Sequence, residues 1–129
     1  MTASERTIEL TTAAAMAASD KLAQDVIAFD VTEQLAIADV FLLCSGATDR
    51  QVKAIVDSVQ ERLLPLDGRP LRREGEREGR WVLLDYGDLV VHVMQTEDRA
   101  YYALERLWKD CPAVDVAVGV LPVGRDGGS

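Results

Sequence analysis

Apolar residues along the first half of the chain recur at helical spacing in two segments. Residues 4–22 are rich in alanine and place their apolar side chains along one face, which predicts a helix. Residues 49–64 carry valine, isoleucine and leucine at i, i+3, i+4 and i+7, which predicts a second helix. Thr48 and Gln51 have the spacing of a capping box at its start, and Pro65 ends it.

Between and after these helices, short apolar runs have the length and composition of strands. Residues 25–31 form one such run. Residues 39–44 are continuously apolar after the first aspartate, which predicts a central strand buried on both faces. Residues 70–74 are charged and predict an edge strand.

The stretch 79–94 predicts a hairpin whose strands join at Tyr86-Gly87-Asp88. With Gly87-Asp88 as a two-residue loop, alternation divides the side chains between the two faces of the sheet. One face is nearly all apolar and carries Val82, Leu84, Tyr86, Leu89, Val91 and Val93. The other face is mixed and carries Trp81, Leu83, Asp85, Val90, His92 and Met94.

The final predicted helix begins at Thr96, followed by acidic residues, and stops at Pro112. The element order α-β-β-α-β-β-β-α predicts a single α/β domain, with a mixed β-sheet and flanking helices. We place this domain at residues 1–112 and a flexible C-terminal tail at 113–129.

Charge and composition narrow the classes of partner. The 129-residue chain has a formal net charge of −8, which suits a basic protein better than nucleic acid, so no direct nucleic-acid readout is expected. Its two cysteines, Cys44 and Cys111, have neither metal-site nor disulfide-framework spacing. No apolar run approaches the roughly 20 residues of a membrane span, and the N-terminus is a poor signal peptide. The expected location is cytoplasmic, with no cofactor and no metal.

The sequence allows three hypothetical chemical sites, and the residues of each also have a simpler structural interpretation. Ser45-Gly46 before a capped helix could cradle a phosphate, although a strand-to-helix turn needs the same residues. Ser45, His92 and Asp85 could form a hydrolytic triad, but the sequence lacks a nucleophile elbow. Asp85 and Asp88 could bind a divalent metal with Glu97 or Asp98, or could serve the turn.

Trp81 and His92 lie together on the mixed face of the predicted hairpin. A large amphipathic ring beside an acid and a histidine is typical of an interface anchor, and the alternative is a tryptophan covered by a helix. His92 in a strand is more often a packed, hydrogen-bonded imidazole than a catalyst, with Asp85 or a backbone carbonyl as its partner.

An ordered set of motifs over residues 5–110 resembles the ribosomal silencing factor family, also called Iojap-like. The motifs are Ser45-Gly46, Arg50-Gln51-Val52, Ile55, Gly75, Trp81, Leu84-Asp85-Tyr86-Gly87-Asp88, Val91-His92-Val93, Tyr101-Tyr102, Leu104-Glu105 and Leu107-Trp108. The resemblance implies a nucleotidyltransferase-like α/β fold and a repressor that binds the large ribosomal subunit through its fourteenth protein. Such binding blocks joining with the small subunit and lowers translation under nutrient limitation; a role in large-subunit maturation is also implied.

The enzyme alternative is a metal-dependent nucleotidyl or phosphoryl transferase using Asp85, Asp88 and Glu74. That fold's chemistry needs a Gly-Ser signature and an acidic pair on a strand, whereas this chain has Ser45-Gly46 and a Glu74-Gly75-Glu76 turn. We therefore predict no enzymatic activity. The predicted partner-binding residues are Trp81, Asp85, Tyr86, Asp88 and His92, and a homodimer is expected when the partner is absent.

Overall fold

The computed structural model describes residues 3–33, 35–98 and 111–114. Within these ranges the structure contains two complete helices, the first residues of a third at 96–98, and five strands, with a 3₁₀ turn at Leu64–Leu66 after the second helix. The elements are α1 (Glu5–Asp20), β1 (Gln24–Asp30), β2 (Val40–Gly46), α2 (Asp49–Leu63), β3 (Arg72–Glu74), β4 (Trp81–Asp85) and β5 (Leu89–Gln95). Each predicted element in this part of the chain is present, with ends that differ by at most about two residues.

The five strands form one mixed sheet in the order β1-β2-β5-β4-β3. β2 and β5 are parallel, and the other neighbouring strands are antiparallel. Strand β2 is buried along almost its whole length, as its continuous apolar run predicts. The single α/β domain with a mixed sheet and flanking helices is therefore confirmed.

Both helices begin at side-chain caps that the sequence specifies. Ser4 Oγ accepts a hydrogen bond from the Thr7 amide, and Thr48 Oγ1 accepts one from the Gln51 amide, each at 3.1 Å. The Gln51 side chain reaches back to the amide of Ala47 at 2.7 Å. Its amide nitrogen also donates to the Lys21 and Leu22 carbonyl oxygens, which ties the start of α2 to the α1–β1 turn.

The predicted hairpin register is confirmed. Val82 pairs with Val93 and Leu84 with Val91, and the Tyr86 amide donates to the Leu89 carbonyl at 2.8 Å. The apolar face of the hairpin packs beneath α1 and α2 and belongs to the main hydrophobic core. Its fully buried members in the hairpin are Val82, Leu84, Leu89, Val91 and Val93.

Residues 111–114 follow the predicted last helix and contact the outer edge of β1. The Asp30 amide donates to the Pro112 carbonyl at 2.8 Å, and the Val114 amide donates to the Ala28 carbonyl at 2.9 Å. Residues 96–98 are helical, while the rest of the predicted helix, at 99–110, and the tail from 115 onward lie outside the described residues. The domain boundary at residue 112 stays a prediction.

Candidate partner-binding face

The side of the sheet opposite α1 and α2, which we call the second face, carries the mixed half of the hairpin. Strand register aligns its side chains in rows across the sheet, so that Phe41, Val90, Asp85 and Arg72 form one row. Leu43, His92, Leu83 and Glu74 form the next row. Burial decreases along both rows toward β3, whose residues are all exposed. The second face is therefore core at its centre and surface at its β4–β3 side.

Trp81 and His92 contact each other on this face through a side-chain hydrogen bond. The Trp81 indole Nε1 donates to His92 Nδ1 at 3.2 Å, and the two ring centroids are 6.1 Å apart with planes tilted by 53°. The Phe41 ring lies 5.0 Å from the imidazole on the other side. The partner of His92 is thus Trp81 rather than Asp85 or a backbone carbonyl.

The environment of His92 keeps its imidazole neutral. The residue is 8% exposed, and burial lowers its pKa from 6.5 to about 4. Because Nδ1 accepts a hydrogen bond from the indole N–H, the neutral imidazole carries its own proton on Nε2. Nε2 is buried and has no hydrogen-bond partner among the residues that the structure describes.

Asp85 organises the turn between β4 and β5. Its Oδ1 accepts a hydrogen bond from the Gly87 amide at 2.8 Å, and Gly87 has a φ of +92°, which a glycine adopts without strain. Its Oδ2 lies 3.5 Å from Arg72 Nη2, and Arg72 Nη1 lies 2.9 Å from Glu74 Oε2. One guanidinium therefore bridges two of the three carboxylates of the transferase alternative, Asp85 and Glu74.

Asp88 presents its carboxylate to solvent, while its backbone holds a neighbouring loop. The Asp88 carbonyl accepts hydrogen bonds from the Asp39 amide at 2.7 Å and from the Val40 amide at 3.0 Å. These bonds fix the turn against the start of β2. The exposed side chain is available for an electrostatic contact at this end of the sheet.

Tyr86 lies on the helix side of the sheet, away from Trp81 and Asp85. Its ring packs against the main hydrophobic core, as the hairpin register requires. Burial raises the pKa of its hydroxyl to about 12, and that hydroxyl has no hydrogen-bond partner within residues 3–33, 35–98 and 111–114. Of the predicted site residues, Tyr86 is therefore the one that the fold separates from the second face.

The structure does not bring Ser45, His92 and Asp85 together as the hydrolytic triad considered from the sequence. Ser45 Oγ donates to the Gln24 carbonyl at 3.1 Å, His92 Nδ1 is taken by Trp81, and Asp85 is occupied by the turn and Arg72. Asp98, a candidate metal ligand, accepts a hydrogen bond from Arg80 at 2.7 Å. Within the described part of the chain, no group of three or more His, Cys, Asp or Glu side chains is placed to hold a metal ion.

Two strongly exposed apolar residues lie in the connections before β2 and before β3, and they were not among the predicted site residues. Ile37 is 83% exposed in the β1–β2 connection, and Leu71 is 76% exposed just before β3. The Leu71 amide donates to the Asp85 carbonyl at 2.7 Å, which fixes its position beside the turn. The sequence offers no clear signal of this exposure, because scattered exposed apolar residues are common on protein surfaces.

Comparison with known proteins decides the family. The family model described as "Ribosomal silencing factor during starvation" matches residues 4–125. This chain belongs to the ribosomal silencing factor family. The Bacillus subtilis ribosomal silencing factor RsfS is 42% identical over 107 residues, which span 83% of this chain and 91% of that protein.

Structural and more distant relatives agree with this family. A crystal structure of a Chromobacterium violaceum protein matches with a TM-score of 0.75 at 33% identity, covering 94% of this chain and 93% of that one. The mouse protein "Mitochondrial assembly of ribosomal large subunit protein 1" is 29% identical over 78% of this chain and 47% of its own length. The resemblance stated from the motifs is therefore confirmed, and the chain has the ribosome-associated silencing role of its family.

Family membership also bears on catalysis, and the helices of the structure bear on whether the chain could span a membrane. The family is named for the silencing of ribosomes rather than for a reaction, which is consistent with the prediction of no enzymatic activity. Among the described residues, no helix is long and apolar enough to cross a membrane.

Proposed function

We propose that this protein represses translation by binding the free large ribosomal subunit and blocking its joining with the small subunit. Membership of the ribosomal silencing factor family carries this proposal. The name of the mouse relative, which refers to assembly of the large subunit, supports the choice of subunit. Translation falls because a subunit held apart cannot enter initiation, and the description of the family, which refers to starvation, supports placing this effect under nutrient limitation.

The proposed contact on the large subunit is its basic fourteenth protein, at the face where the small subunit docks. The net charge of −8 favours a basic partner and gives attraction at long range. At the turn end of the sheet, exposed Asp88 and partly exposed Asp85 supply negative charge. The proposal therefore pairs an acidic chain with a positively charged ribosomal surface.

The proposed docking surface is the β4–β3 side of the second face together with the β4–β5 turn. Trp81 provides a partly buried aromatic ring, and such rings are frequent hot spots in protein interfaces. Asp85 and Asp88 form the charged rim, and His92 lies behind Trp81. Tyr86, which lies on the other side of the sheet and is partly exposed, is the remaining member of the proposed surface, next to the turn.

Co-sedimentation with purified subunits tests the central claim. The protein is expected to pellet with isolated large subunits and to reduce the amount of joined ribosomes when small subunits are added. An unrelated protein of the same size and net charge serves as the control, because it separates specific binding from simple electrostatic attraction. Pelleting no better than that control, or undiminished joining, would contradict the proposal.

We propose in addition that the chain has no transferase activity. The observation behind this is Arg72, whose guanidinium is shared between Glu74 and Asp85. Calorimetric titration with magnesium and a nucleoside triphosphate is expected to give no binding heat, and incubation is expected to give no hydrolysis. Turnover that is lost in Asp85→Ala would show the opposite.

A homodimer in the absence of the ribosome is a further part of the proposal. The partly exposed apolar side chains of the second face, such as Phe41 and Leu83, would be a costly patch on an isolated monomer. Light scattering at micromolar concentration is expected to give twice the 14.1 kDa chain mass. A monomer mass would leave the ribosome-binding proposal intact and remove this part.

A further inference from the structure

The hydrogen bond between Trp81 and His92 connects adjacent rows of the sheet. Trp81 pairs in register with Met94, whereas His92 pairs with Leu83, so the contact runs diagonally between β4 and β5. Diagonal neighbours are within reach only of long or aromatic side chains. Both residues stand on interior strands of the sheet, and the backbone of His92 is paired on both sides, with Leu43 and with Leu83.

His92 is held firmly enough to orient the indole. Leu43 and Leu83 are its neighbours in the same row, and the Phe41 ring packs at a centroid distance of 5.0 Å. At 8% exposure the imidazole has little room to change rotamer. Trp81 is the less buried of the two rings.

A buried imidazole at position 92 lowers the stability of the fold relative to an apolar side chain, so a purely structural role does not explain it. Its Nε2 is buried without a hydrogen-bond partner in the described part of the chain. Leaving a buried donor unsatisfied opposes folding, and an apolar side chain of similar size at that position would avoid the penalty. The one feature of His92 that an apolar residue could not supply is the acceptor Nδ1, which the Trp81 indole uses.

We propose that His92 is a positioning residue, whose Nδ1 holds the Trp81 indole in the orientation in which it contacts the partner protein. This inference rests on the proposed docking surface and assigns His92 a role through Trp81, without direct contact with the partner. A side chain that is already ordered loses less conformational freedom on binding. The expected benefit corresponds to about threefold to tenfold in affinity for the large subunit.

Three variants separate positioning from packing. His92→Leu removes the acceptor and keeps an apolar group. His92→Asn keeps an acceptor oxygen close to the position of Nδ1. Val91→Ala is the matched control, because Val91 is the preceding residue of β5, is fully buried and points to the helix side.

The readouts are affinity for isolated large subunits and hydrogen exchange of the Trp81 indole N–H by nuclear magnetic resonance. The indole resonance is assigned by its loss in Trp81→Phe. His92→Leu is expected to speed this exchange and to weaken binding by about threefold to tenfold. His92→Asn is expected to stay near the parent in both measurements, while Val91→Ala lowers stability and leaves the affinity unchanged.

A double variant tests whether His92 acts through Trp81. Adding His92→Leu to Trp81→Phe is expected to cause no further loss of affinity, because the indole donor is already absent. If the two losses add, His92 acts by another route and the proposal is overturned. If His92→Leu does not fold, His92→Gln replaces it, since its longer side chain places the amide near Nε2 and leaves Nδ1 without a substitute.

The results also separate this inference from the function on which it rests. If Trp81→Ala binds like the parent, the proposed docking surface is wrong and the positioning role falls with it. If Trp81→Ala weakens binding strongly while His92→Leu stays within about twofold of the parent, only the positioning role is overturned.

Discussion

Adjacent residues of the β4–β5 hairpin belong to two different environments. On the helix side, Val82 and Leu84 are fully buried beneath α1 and α2. On the second face, Trp81 and Leu83 are only partly buried, although each is next in sequence to a buried residue. Because side chains alternate along a strand, one short segment supplies both a core and a candidate interface.

We therefore expect that stability and partner binding can be changed almost independently within this hairpin. Substitutions on the helix side act on packing, and substitutions on the second face act on a surface that is only partly covered.

The largest effect is expected in a matched pair of leucines on β4. Leu84→Ala removes a fully buried side chain and should lower the free energy of unfolding by about 2–5 kcal/mol. Leu83→Ala removes a partly exposed one and should cost about 1 kcal/mol. Denaturant unfolding measures both, and equal losses would show that the two faces are equally packed.

Acid should destabilise the protein because His92, on the second face, binds a proton more readily in the unfolded chain than in the folded one. The pKa of His92 is about 4 in the folded chain because of burial, and its ordinary value is 6.5. Between these two values the unfolded chain binds a proton that the folded chain does not, so stability falls as the pH is lowered from 6.5 toward 4. The loss is at most about 3 kcal/mol at 1.36 kcal/mol per pKa unit.

Comparison of the parent with His92→Asn isolates this contribution in unfolding curves measured from pH 7 to 4. Carboxylates that titrate near pH 4 affect both proteins and cancel in the difference. Identical pH profiles would mean that the pKa of His92 is the same in the folded and unfolded chains.

Binding should respond to Trp81 more than to its buried neighbour. Trp81→Ala is expected to weaken large-subunit binding by about 2 kcal/mol, or roughly thirtyfold, as for other interface tryptophans. Val82→Ala should lower stability and leave the affinity of the folded fraction unchanged, since its side chain faces the helices. Circular dichroism confirms folding, and equal affinities for both variants would place the interface elsewhere.

Gly87→Ala probes the turn that joins the two strands. At a φ of +92° an alanine is strained, although the nearest side-chain atom to an added Cβ, from Leu71, is 3.5 Å away. We expect a loss of about 1 kcal/mol in the free energy of unfolding. Gly46→Ala is a useful contrast, because an added Cβ there would meet the Gln51 side chain at 3.1 Å without a positive φ.

The smallest expected effect belongs to the charged rim. Asp88→Asn removes an exposed charge and should weaken binding less than tenfold at low salt. The difference from the parent should shrink as salt is raised, since exposed charges are screened. A loss that is independent of salt would indicate a buried contact instead.

Much of the fold follows from local patterns in the sequence. The caps at Ser4 and Thr48, and the apolar periodicity of α2, are local features that act within a few residues. The hairpin register follows from alternation together with the Gly87-Asp88 loop, which leaves one arrangement that buries the aliphatic face. For the same reason the sequence alone predicts that Trp81 and Asp85 lie on the opposite face of the sheet from Tyr86.

Only the tertiary structure decided which distant groups meet. Three kinds of contact join segments that are separated along the chain: the parallel pairing of β2 with β5, the Gln51 bonds to the α1–β1 turn, and the ion pair between Arg72 and Asp85. The Trp81–His92 bond depends in addition on side-chain rotamers set by packing around both rings. Periodicity specifies which face a residue occupies, but the partner on that face depends on strand order and side-chain packing.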